Sequence, residues 1–142
     1  MDANDARLIV DTNIWLERLL GQERADEVSR LLNTVPDREL AISEFAFYSI
    51  GHILVAREQL VGFRRFVTDL FVDGHVSTVR LVGEDFFDVL GAIEQYRLDF
   101  DDAYQYVAAT SRELQLVSFD TDFDRTDLER WEPADVLDQY GK

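Results

Sequence analysis

A chain of 142 residues is long enough for one domain with a sizeable core and too short for two. It is 46% hydrophobic and 30% charged, a globular balance, and it has no cysteine, which excludes disulfides, thiolate metal sites and cysteine nucleophiles. The formal net charge is −15, and Lys142 is the only lysine among 14 basic residues, so the average surface repels nucleic acid at long range.

Two explanations for that surface stand side by side: adaptation to high salt, or a need for a basic protein partner. No apolar run approaches the roughly 20 residues of a membrane-spanning helix, and no basic, apolar and small-residue series opens the chain. The expectation is a cytoplasmic protein that makes no membrane contact.

In chain order, Leu8 to Val10 reads as a buried strand ending at Asp11. Asn13 is the expected cap of a helix carrying Ile14, Trp15, Leu16, Leu19 and Leu20, which Gly21 terminates. A second helix is expected from Glu23, with Ala25, Val28, Leu31 and Leu32 on one stripe, and Pro36-Asp37 marks the turn after it. Glu39 to Ile42 reads as the next strand. Ser43 caps a helix through Phe45, Phe47, Ile50, Ile53, Leu54 and Val55, apolar on nearly all sides and hence buried in a core or a subunit interface.

Phe63, Phe66, Val67 and Leu70 signal a further helix ending near Asp73-Gly74, and Val76 to Val82 alternates as a third strand. Phe86, Val89, Leu90 and Ile93 give another helical stripe, opened by Glu84 and Asp85. Asp101 or Asp102 starts the next helix, with small residues Ala103, Ala108 and Ala109. Leu114 to Phe119 is a fourth strand, stopped at Asp120, and the tail from Trp131 to Leu137 is expected to hold one more short strand. Strands alternating with helices define an α/β domain with a largely parallel sheet of four or five strands and right-handed crossovers.

A parallel sheet sets the carboxyl ends of its strands along one edge, where ligands bind in open α/β folds. That arrangement brings Asp11, Asp120 and the helix-start pair Asp101/Asp102 to the same edge. Carboxylates about 4 Å apart repel by roughly 4 kcal/mol at an effective dielectric near 20, so a group of them holds protons or cations. Mg²⁺ or Mn²⁺ suits an all-oxygen donor set, and such an ion can activate water and neutralise a phosphodiester. His52 and His75 fall at no strand end and read as structural. No Gly-rich phosphate loop is present.

Each acid also has a bland role. Asp11 could make an Asx-type turn or cap the following helix. Asp102 could be a cap completing a capping box with Gln105; the alternative division makes Asp101 the cap and Asp102 the ligand. Asp120, Asp122 and Asp124 have the spacing of a calcium loop, but Arg125 stands where its glycine belongs and Trp131 where its glutamate belongs. A phospho-acceptor domain needs a lysine beside the acceptor, and Lys142 is the only one.

Val10-Asp-Thr-Asn-Ile14, Leu98-Asp-Phe-Asp-Asp-Ala103 and Val117-Ser-Phe-Asp-Thr-Asp-Phe-Asp124 resemble, in order and spacing, the motifs of the PIN domain, especially its small VapC-type toxin members. The resemblance covers nearly the whole chain, 1–142, as a single domain. It implies a three-layer α/β fold and a ribonuclease dependent on Mg²⁺ or Mn²⁺, the toxin half of a toxin–antitoxin pair, with an RNA substrate, a basic antitoxin and a homodimeric state. By position it makes Asp11, Asp102 and Asp120 the catalytic, metal-holding carboxylates, with Thr12, Asn13 and Ser118 supporting them and Asp101 and Asp122 as lesser ligand candidates.

One departure from that pattern stands out. The family's glutamate about two turns into the helix after the second strand is replaced by Ser49. Glu44 lies five residues earlier, about 140° around the helix. It is either a substitute ligand or an ordinary first-turn acid. The departure leaves a second reading, a catalytically weak PIN-like domain that acts through protein binding.

Overall fold

The computed structural model describes residues 5–141; Lys142 lies outside the described residues. Four strands, β1 (Leu8–Val10), β2 (Leu40–Ser43), β3 (Ser77–Val79) and β4 (Gln115–Val117), form one sheet in the order β3-β2-β1-β4. Every pairing is parallel: Leu8 faces Leu40, Ile9 faces Leu116 and Ala41 faces Ser77. Both faces of the sheet are covered, which is why the strands read as unbroken apolar runs.

Alternation along the strands divides the core in two. Leu8, Val10, Leu40, Ile42 and Val117 face one side with helices α1 (Thr12–Leu19), α2 (Ala25–Thr34), α3 (Glu44–Ala56), α4 (Leu60–Val67) and α7 (Pro133–Tyr140). Ile9, Ala41, Val79 and Leu116 face the other, against α5 (Asp85–Tyr96) and α6 (Phe100–Ser111). The result is a three-layer α/β fold. Ala103, Ala108 and Ala109 are fully buried and bring α6 close to Ile9 and Leu116. Trp15 packs edge-on to Phe66 and donates its indole N–H to the carbonyl of Val10 at 3.0 Å, so the last carbonyl of β1 is satisfied.

The structure differs from the sequence-based expectation at several ends. α1 is capped by Asp11, whose carboxylate accepts from Thr12 N–H, rather than by Asn13. α6 is capped by Asp99, which accepts from Asp102 N–H at 2.9 Å, rather than by Asp101 or Asp102. Ser43 caps α3 as expected, accepting from Ala46 N–H. The helix expected from Glu23 begins at Ala25, and the third strand is only Ser77–Val79. The tail is a helix: Trp131 makes one parallel bridge to Val117, and then Pro133 and a reciprocal cap between Glu132 and Asp135 commit the chain to α7. No helix among the described residues is long and apolar enough to cross a membrane.

Candidate functional site

β1 and β4 are neighbours, and their carboxyl ends carry Asp11 and, beyond Ser118 and Phe119, Asp120. The N-terminus of α6 delivers Asp101 and Asp102 to the same edge. Together these acids line a cleft of about 700 Å³ whose opposite wall is α3, through Phe45, Tyr48, Ser49 and His52.

Asp11 is 6% exposed and tightly held. Its Oδ1 accepts from Thr12 N–H at 2.8 Å and from Gln105 Nε2 at 2.7 Å, and its Oδ2 accepts from Ser118 Oγ at 2.7 Å. Burial pushes its carboxyl above the ordinary range, opposed by the hydrogen bonds from Ser118, Gln105 and Thr12. The Ser118 hydroxyl uses its full capacity, donating to Asp11 and accepting from Asp120 N–H and Asn13 Nδ2. Asn13 Oδ1 in turn accepts from Phe119 N–H at 3.2 Å. Asn13 and Ser118 therefore staple the ends of two strands that are more than a hundred residues apart in sequence.

Asp102 is 8% exposed, and its carboxyl is pushed up to about 8, by burial first and then by sharing a proton with, and being repelled by, Asp120. Asp101, exposed on the rim, is also raised, by partial burial and by Asp99. Asp120 Oδ1 accepts from Asp122 N–H at 2.9 Å, a turn that folds Asp122 back. One carboxylate oxygen from each of Asp102, Asp120 and Asp122 lies within 4.8 Å of the others. Asp11 is next to this trio rather than within it.

The remaining sequence candidates fall elsewhere. Glu44 is not on the cleft wall; its carboxylate pairs with Arg80 at 3.6 Å. Ser49 faces the cleft, as its position in place of the family glutamate implies. His52, expected to be structural, is exposed and lines the cleft, one turn beyond Tyr48. Positions 45, 48, 49 and 52 share one helical face, a periodicity that could have revealed it. Gln105 was legible only as a capping partner; its bond to Asp11 spans 94 residues and has no local signal. Of the arginines near the motifs, Arg125 pairs with Asp122 at 3.4 Å and is tied to the carbonyls of Tyr96 and Arg97.

Apart from the His52 imidazole, the donor set is carboxylate, hydroxyl and amide oxygen, with a buried Gln105 Oε1 that has no partner among the described residues. The clustered carboxylates fit a hard divalent cation, and the chain has no thiolate for a soft one. A parallel α/β domain with clustered carboxylates at the carboxyl edge of its sheet is the class these features define.

The particular family follows from comparison. The family description "PIN domain" matches residues 8–129, and the chain belongs to that family. No curated protein matches the chain in sequence. Among solved structures, it is similar to a toxin–antitoxin complex from Klebsiella pneumoniae, with TM-score 0.69, 20% identity and coverage of 89% of this chain and 97% of that one. It is also similar to the Mycobacterium tuberculosis toxin VapC20, described as cleaving the sarcin-ricin loop, at TM-score 0.72 and 16% identity over 86% and 96% of the two chains. FitAcB from Neisseria gonorrhoeae gives 0.73 and 15% over 89% and 98%. At these identities the likeness is one of fold.

Proposed function

We propose that this PIN domain is a metal-dependent endoribonuclease, the toxin half of a toxin–antitoxin pair. The observation that carries the reading is the meeting of Asp102, Asp120 and Asp122 within 4.8 Å, beside a buried and hydrogen-bonded Asp11, at the carboxyl edge of a PIN-domain sheet. Asp11, Asp102 and Asp120 are assigned to hold the cation, with Asp122 joining them and Asp101 at the rim. A bound Mg²⁺ or Mn²⁺ supplies Lewis-acid charge for the phosphodiester and lowers the cost of generating hydroxide from water. Thr12 and Ser118 keep the Asp11 carboxylate in one orientation, and Asn13 fixes the spacing between the strand ends. Phe45 and Tyr48 give the cleft an aromatic lining.

An antitoxin partner is supported by the likeness to the Klebsiella structure, described as a toxin–antitoxin complex. A basic antitoxin suits a chain of net charge −15, and a homodimer suits the exposed Tyr48, Val55, Leu60 and Val61 around α3 and α4. RNA cleavage is expected with Mg²⁺ or Mn²⁺, and is expected to be lost in Asp11→Asn and Asp102→Asn while circular dichroism shows both variants folded. A folded wild-type protein that cleaves no RNA with either ion would falsify the enzyme reading.

Ser49 in the glutamate's place, with Glu44 drawn off to Arg80, favours a second reading, a weakly catalytic domain that acts by binding protein. Growth arrest on expression separates the two. Arrest that persists in Asp11→Asn belongs to binding, whereas arrest that vanishes with it belongs to cleavage.

A further inference from the structure

Gln105 takes no part in the roles assigned above, yet it is 2% exposed on the floor of the cleft. Its Nε2 donates to Asp11 Oδ1 at 2.7 Å, and its Oε1 is buried with no partner among the described residues. The amide can face Asp11 only this way round, because an ionised carboxylate accepts and cannot donate. The oxygen is thereby turned away from Asp11. An unpaired buried acceptor is costly, so the hydrogen bond to Asp11 is kept against that cost.

The lone pairs of Asp11 sharpen the point. A carboxylate has about four acceptor positions, and Thr12, Gln105 and Ser118 occupy three of them. Both occupants of Oδ1 are on the side of the α1 and α6 backbones, which leaves Oδ2 as the oxygen with capacity to spare. A hard divalent ion of the magnesium type takes oxygen ligands, and Oδ2 is the Asp11 oxygen left for one.

We infer that Gln105 is a positioning residue of the cation site: it closes Asp11 Oδ1, so that Asp11 offers one Oδ2 lone pair to the cation. The inference rests on the cation reading of the cleft given above. It assigns a role to a residue on the interior face of α6 that the three sequence motifs leave out.

Gln105→Met keeps the length of the side chain and removes both hydrogen-bonding functions. Mn²⁺ binding measured by titration calorimetry is expected to weaken by tenfold or more, the range for residues that support metal ligands. The metal-free variant loses a hydrogen bond to a buried carboxylate as well as an orphan acceptor, so Mn²⁺ affinity rather than melting temperature separates the readings. A purely structural glutamine leaves Mn²⁺ affinity unchanged in Gln105→Met, and that result overturns the inference.

Should Gln105→Met fail to fold, wild-type protein decides the matter. The Gln105 side-chain amide resonances are expected to shift on Mg²⁺ titration with the same midpoint as the backbone amide of Thr12, and no shift at saturation overturns the inference. If wild-type protein binds neither ion, the cation reading itself falls and takes this role with it. If wild type binds and Gln105→Met binds equally well, only the role of Gln105 falls.

Discussion

At the scale of single residues, the cleft is a set of acids in unequal states. Asp102, buried and facing Asp120, is held at about 8, far above the ordinary carboxylate value of 3.8. A carboxyl whose pKa is higher in the folded than in the unfolded protein favours folding while it is protonated. Its contribution is complete below about 4 and is lost as pH rises towards about 8. Metal-free protein is therefore expected to melt at a lower temperature at pH 8 than at pH 6, and Asp102→Asn is expected to flatten that slope. Scanning calorimetry across this window checks it; a wild-type midpoint that rises with pH contradicts the shared proton. A cation competes with that proton, so Mn²⁺ affinity is expected to strengthen across the same interval.

At the scale of elements, the strands and the convergence of Asp11, Asp102 and Asp120 were legible because apolar runs stop at acids and a parallel sheet aligns its strand ends. The caps were less so. Asp99, Asp101 and Asp102 can all cap a helix, and the backbone angles that select Asp99 have no signature in the sequence. The tail misled because Val136 and Leu137 are compatible with a strand, whereas Pro133 and the Glu132–Asp135 pair decide for a helix. Asp122 reaches the acidic trio only through the Asp120 turn, a local hydrogen bond that spacing alone does not reveal.

α7 is tied to the site by Arg130, whose guanidinium donates to the Ser118 carbonyl at 3.0 Å, to Glu132 at 2.8 Å and to Asp124 at 3.1 Å. The Arg130 side chain is 12% exposed, whereas Asp124 stays in solvent and Glu132 is half-buried, so the bond to the Ser118 carbonyl is the protected one. Arg130→Met is expected to cost about 2 kcal/mol in urea denaturation, chiefly by leaving the Ser118 carbonyl unpaired. Arg112→Met, on the exposed surface, is expected to cost less than about 0.5 kcal/mol. Equal effects would show that the Arg130 network contributes nothing particular.

At the scale of the whole molecule, a net charge of −15 bears on both stability and substrate. Like charges spread over a small domain repel one another, and salt screens them over a Debye length of about 10 Å at 0.1 M. The melting temperature is expected to rise as KCl is raised from about 0.02 M to about 1 M, and RNA cleavage is expected to depend strongly on salt. A flat response in both would count against adaptation to high salt and leave the basic partner as the explanation of the surface. Arg125 is engaged with Asp122 and Arg80 with Glu44, which draws the charge of both towards carboxylates rather than phosphate.

The stapling of β1 to β4 has a consequence for the timing of synthesis. Asp11 leaves the ribosome before Ser118, which orients it, and Arg130, which secures Ser118, both more than a hundred residues later in the chain. The cleft is therefore assembled only once the segment that carries β4 and Arg130 has been translated, and a chain cut off before Ser118 leaves the Asp11 Oδ2 without its donor.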